Sequence, residues 1–157
     1  MRAFCLGGFS RLEAKGASTM KLKILVFDQR QVVRDLLEFY LSRLGHEVMT
    51  FSDPTVCPLY RNLLNEQCCC TKETPCADAV LIDINMPNIN ALDFLKLQRR
   101  RGCKALEANK ALMSAGMTEA LEKAIEEYGC HHIEKPFRLE EIRGWIKGCA
   151  ERLTASQ

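Results

Sequence analysis

The stretch AVLIDINMPNIN, residues 79–90, decides how the rest of the chain is read. Four apolar residues, Ala79 to Ile82, run unbroken into a carboxylate, Asp83. One more apolar residue follows, then Asn85 and a Met-Pro turn. A continuous apolar run marks a strand covered on both faces, as in a parallel sheet between helices. A buried charge costs on the order of several kcal/mol unless something pairs with it. An aspartate at the end of such a strand therefore needs a partner or a task.

Similar runs recur along the chain. KLKILVF (21–27) reads as a first strand, EVMTF (47–51) as a second, DAVLIDI (78–84) as the third, ALMSA (111–115) as a fourth, and HHIEKPF contains a short fifth. Helical patterns lie between them. Residues 30–44 place Val33, Leu36, Leu37, Tyr40, Leu41 and Leu44 on one face, with Gly45 as a stop. Residues 55–66 read as a short helix, and 91–101 as another ending in RRRG. Thr118 can N-cap a helix through Tyr128, stopped by Gly129. Residues 139–153 form the last helix, with Leu139, Ile142, Ile146, Cys149 and Leu153 aligned. Five strand-helix repeats argue for an α/β fold with a parallel sheet covered on both faces. In such sheets the site lies at the carboxyl ends of the strands.

Composition narrows the class. The 157 residues suit one core, and 22 basic against 20 acidic residues give a net charge of +2. That balance gives no general argument for nucleic acid or a membrane surface as partner. No apolar run approaches the roughly 20 residues that span a bilayer. Glycines interrupt MRAFCLGGFS too early for a signal peptide, so the chain is read as cytoplasmic. Residues 1–19 are read as an irregular extension and 20–157 as the domain, with Met1 and Met20 both open as starts.

Each strand end carries a polar group. Strand one ends at Asp28-Gln29, strand three at Asp83, strand four near Ser114 and strand five at Lys135-Pro136. Parallel strands bring these ends to one edge. Carboxylate oxygens suit Mg²⁺, and a lysine with a hydroxyl suits phosphoryl oxygens. Together they could stabilise a phosphoryl group on a carboxylate, because phosphoryl transfer needs mainly positioning and charge neutralisation. The first turn, DQRQ, lacks the small residues that would cradle a flavin phosphate.

Over residues 21–153 the chain resembles the receiver domain of two-component response regulators. KILVFD, LIDINMP, ALMSA and KPF, in this order and at these spacings, carry the resemblance. It implies a flavodoxin-like (βα)5 fold with strand order 2-1-3-4-5. It implies that Asp83 accepts phosphate from a sensor histidine kinase or phosphotransfer protein. By the same resemblance Asp28, Asp83 and the backbone carbonyl of Asn85 hold Mg²⁺. Ser114 and Lys135 contact the phosphoryl group, and the Lys135–Pro136 bond is a cis candidate. Such a domain assists its own phosphotransfer but is no turnover enzyme, and the surface of residues 118–153 carries its signal to an output protein that the sequence does not name. Three positions depart from the family. Gln29 replaces a second acid and leaves a weak, neutral metal ligand; Ala91 replaces a glycine; and His132 stands at the aromatic position that pairs with Ser114 in switching.

With only a short tail after residue 153, a stand-alone receiver is expected. Gln29-Arg30 also fits a degenerate receiver that binds partners without taking phosphate. The chain has nine cysteines, and Cys57, Cys68, Cys69, Cys70 and Cys76 fall between strands two and three. Their spacing matches no zinc-finger or ferredoxin pattern. Free thiols, a Zn²⁺ or iron-sulfur site, or a disulfide from Cys68 or Cys70 to Cys76 remain open, and with them a redox or metal sensor. His131 and His132 read as structural, and Cys103, Cys130 and Cys149 as small core residues.

Overall fold

The computed structural model describes residues 20–56 and 74–157. Five strands alternate with helices: β1 (Lys23–Phe27), α1 (Gln31–Arg43), β2 (Glu47–Phe51), β3 (Ala79–Asp83), α2 (Ala91–Arg100), β4 (Lys110–Ser114), α3 (Glu119–Tyr128), β5 (His131–Glu134) and α4 (Leu139–Ala155). The strands form one sheet in the order β2-β1-β3-β4-β5, and every pairing is parallel. The strand-helix alternation predicts such a covered parallel sheet, and the flavodoxin-like strand order is the one that the resemblance implied.

The period-two alternation of strand side chains splits the core into two layers. Leu25, Phe27, Val80, Ile82 and Leu112 point to the side covered by α2 and α3, against Phe94, Leu95, Leu121, Ala124 and Tyr128. Ile24, Val26, Ala79, Leu81, Ala111, Met113 and Ile133 point to the side covered by α1 and α4, against Leu37, Leu41, Ile142, Trp145 and Ile146. Each buried Val, Leu, Ile, Met or Phe side chain among them contributes about 1.5–3 kcal/mol by leaving water. Both faces of β3 and β4 are covered, which explains their unbroken apolar sequence.

Local signals set the element ends. The Thr118 hydroxyl accepts a hydrogen bond from Leu121 N at 3.2 Å and caps α3. Gly129 ends the same helix at φ 68°, a left-handed conformation that costs glycine little. The Asn90 side chain caps α2 by accepting from Leu92 N at 2.7 Å.

Several expected boundaries move. β1 begins at Lys23 rather than 21, and α4 continues to Ala155. β4 begins at Lys110 rather than 111, although lysine is a poor core residue. Its side chain is fully buried because Glu107 Oε1 accepts from the ammonium at 3.2 Å. Of the helix expected at 55–66, the described residues hold the 3₁₀ turn Pro54–Val56, and the rest lies outside them. The extension at 1–19 also lies outside the described residues, as do Cys57, Cys68, Cys69 and Cys70. No helix among the described residues is long and apolar enough to cross a membrane.

Candidate functional site

The parallel sheet brings Asp28, Asp83, Ser114 and Lys135 to one edge, at the ends of β1, β3, β4 and β5. Asp28 and Asp83 sit on adjacent strands and are 0% and 4% exposed. Lys135 reaches back from beyond β5 across two strands. Its ammonium lies 2.6 Å from Asp28 Oδ2 and 3.2 Å from Asp83 Oδ1. The paired aspartate thus has its partner: one cation serves two buried carboxylates, which neither could leave water to face alone. The Lys135–Pro136 bond is cis, as the resemblance implied. Lys135 N donates to Ser114 O at 2.7 Å, fixing the start of this turn to β4.

The backbone orients both acids. Asp28 Oδ1 accepts from Arg30 N at 2.8 Å, and Asp83 Oδ1 from Asn85 N at 3.2 Å. Arg30 does more than start the helix: its Nε lies 3.8 Å from Asp28 Oδ1. Arg34 Nη1 donates to the carbonyls of Asp28 and Gln29 at 2.8 and 3.0 Å, pinning the β1–α1 turn. The site opens into a cavity of 590 Å³ lined by Gln29, Arg30, Asp83, Asn85 and Lys135, with Val33, Leu36, Pro136 and Phe137 as an apolar wall.

Ser114 stands beside this group but points elsewhere. Its hydroxyl donates to Gly116 O at 2.6 Å and lies 2.8 Å from His132 Nε2. The single hydroxyl proton goes to Gly116, so the ring supplies its proton from Nε2. His131, next along β5, stacks on Trp145 at 6.1 Å between centroids. Burial, with Arg152 and His132 nearby, pushes the His131 imidazole below its usual value. Neither histidine joins Asp28 and Asp83.

The carboxylates fit a divalent cation. That one ammonium lies within 3.2 Å of both shows that they can share a single cation. Mg²⁺ uses one or two carboxylates and keeps waters or phosphate oxygens for the rest. No group of three His, Cys, Asp or Glu side chains among the described residues is placed to hold a metal. Two acids, Asp28 and Asp83, are the charged oxygen donors here, with Gln29 and Asn85 on the cavity wall. Of the cysteine group only Cys76 is described, half-buried, so a thiol-metal site or disulfide at 57–76 falls outside the described residues and has no support among them.

Two contributors were missed in the sequence. Arg30 brings its Nε to 3.8 Å from Asp28 Oδ1, a contact that depends on the turn geometry. Asp53 follows β2 and is 6% exposed, and its Oδ2 accepts from Asn88 Nδ2 at 3.0 Å. A partner 35 residues away leaves no local signal.

Comparison with known proteins agrees with this fold. No protein-family model matches the chain. The alkaline phosphatase synthesis transcriptional regulatory protein SphR of Synechococcus elongatus is 28% identical over 142 residues, covering 90% of this chain and 52% of that protein. Sporulation initiation phosphotransferase F of Bacillus subtilis is 28% identical over 131 residues, covering 82% of this chain and 93% of that protein. The receiver domain of the Francisella response regulator 1452 superposes with a TM-score of 0.64 at 18% identity, covering 85% of this chain and 99% of that one. This chain spans about half the length of several curated relatives it matches. The parallel 2-1-3-4-5 sheet is the fold of the receiver-domain structures, and over most of its length the sequence is similar to that of response regulators.

Proposed function

We propose that the chain is a phosphorylation-dependent signalling switch whose phosphoacceptor is Asp83. The observation that carries this reading is the Lys135 ammonium held between Asp28 and Asp83 at the mouth of the cavity. A carboxylate oxygen of Asp83 forms a bond to phosphorus as the P–N bond of a donor phosphohistidine breaks. The electron pair of that bond returns to the donor imidazole. Lys135 then balances the added negative charge, and the Asn85 amide, already directed at Asp83 Oδ1, stays in place. Asp28, Asp83 and the Asn85 carbonyl would hold Mg²⁺, which when bound would neutralise charge on the transferring phosphoryl oxygens. Gln29 adds at most a neutral ligand.

Ser114 contacts the phosphoryl group by turning from Gly116 and His132. That motion breaks its contact with β5 and gives the face of α3, β5 and α4 a reason to change. A histidine kinase or phosphotransfer protein is the donor. The docking surface proposed for it is an exposed apolar stripe on α1: Val32 is 79% exposed, Phe39 65% and Leu36 42%, and Leu36 also lines the cavity. Acetyl phosphate with Mg²⁺ labels the wild type and not Asp83→Asn. Label that survives this substitution would place the acceptor elsewhere; no label at any Mg²⁺ concentration would favour a module that binds without phosphate.

A further inference from the structure

The loop from β3 to α2 must hold the Asn85 main chain toward Asp83, yet residues 85, 87 and 88 are exposed. Three anchors restrain it. Ile84 N donates to Met113 O at 2.9 Å, tying the loop's start to β4. Asn90 caps α2 at its end. Between them Ile89 N donates to Pro87 O at 2.8 Å, closing a tight three-residue turn around Asn88, whose φ is 67°. Such a turn with positive φ is strained for a residue bearing Cβ and persists only where something holds it. The holding group is Asp53. One of its oxygens, Oδ1, accepts from Thr55 N at 2.7 Å and from the Thr55 hydroxyl. Its other oxygen, Oδ2, accepts from the Asn88 amide at 3.0 Å. The carboxylate is buried, so this charge-assisted bond is shielded from competing water.

We propose that Asp53 is a positioning residue for the site: through Asn88 it fixes the β3–α2 loop so that the Asn85 main chain faces Asp83 and the cation held there. Asp53 touches neither cation nor phosphoryl group. It acts from the end of the edge strand β2, so that strand is coupled to the site from across β1. The inference about loop order stands by itself; its consequence for cation binding rests on the function proposed above.

The test uses Asn88→Gly, Asn88→Asp and the exchange Asp53→Asn with Asn88→Asp in the full chain. Glycine relieves the backbone and removes only the tether. If Asn88 were merely a left-handed turn residue, glycine would serve as well or better. The tether instead predicts that ¹⁵N relaxation without metal shows residues 85–89 rigid in wild type, mobile in Asn88→Gly and Asn88→Asp, and rigid again in the exchange. Mg²⁺ affinity by calorimetry falls five- to tenfold in the single variants and recovers in the exchange. The added charge of Asn88→Asp would by itself raise cation affinity, so a fall separates tethering from simple electrostatics. Equal loop order in wild type and Asn88→Gly, or no rescue by the exchange, overturns the proposal. A wild type with the rigid loop but no Mg²⁺ binding overturns the reading of the site and leaves the tether standing.

Discussion

At the scale of single residues, the site is a count of charges around two buried acids. Asp28 faces Lys135 at 2.6 Å and Arg30 at 3.8 Å, so two protein cations surround the carboxylate proposed above as a metal ligand. Gln29, exposed on the cavity wall, supplies no charge in return. Affinity at hard-cation sites follows the number of charged ligands. Gln29→Asp therefore binds Mg²⁺ about tenfold more tightly and takes label from acetyl phosphate faster, as calorimetry and labelling rates would show. Equal binding by the two proteins would remove residue 29 from the metal site. Asp28, Asp83 and Lys135 could be found in the sequence because each ends an apolar run, and the parallel sheet turns that shared position into proximity. The engagement of Ser114 with His132 and Gly116 could not, because hydroxyl direction depends on a rotamer and on a neighbouring strand 18 residues away.

At the scale of elements, two links carry testable weight. His46, between α1 and β2, accepts from Leu22 N through Nδ1 at 3.2 Å and thereby ties the start of β1 to the start of β2. Burial pushes its imidazole below the usual value. The unfolded chain then binds the proton more readily than the folded one. Stability is unaffected above the unfolded imidazole value of about 6.5 and falls as pH drops below it. Urea midpoints at pH 7.5 and 5.5 should show this loss in wild type and a smaller one in His46→Asn. The second link is Ser114 to His132, joining β4 to β5. Beryllofluoride, standing in for the phosphoryl group, should move amide shifts along α3, β5 and α4, and much less so in Ser114→Ala. Shifts confined to the β3–α2 loop would count against this route. Element types were legible because hydrophobic period distinguishes strand from helix over these lengths. The ends were less so: Lys110 joins β4 because the half-buried Glu107 meets its buried ammonium.

At the scale of the whole molecule, helices cover both faces of the sheet and the site occupies one edge. The apolar stripe of Val32, Leu36 and Phe39 adjoins the site, whereas the α3–β5–α4 face lies on the other side of the sheet's midline. Input and output can thus be separated by substitution. Phe39→Ser combined with Val32→Ser should slow phosphoryl transfer from a kinase or phosphotransfer donor at least tenfold and leave labelling by acetyl phosphate unchanged, since about 1–2 kcal/mol of apolar docking per side chain is lost without touching the acids. Loss of both activities would mean that the stripe supports the fold. Lys135 adds a constraint of a different kind. It stands after the fifth strand, while the acids it serves end the first and third. As the chain leaves the ribosome, both acids emerge long before Lys135, and the sheet cannot close around them without leaving Asp83 without this cation and Asp28 with Arg30 alone. The order of synthesis thus delays the burial of this edge until nearly the whole domain is available, so that a nascent fragment lacking β5 is a poor mimic of the finished protein.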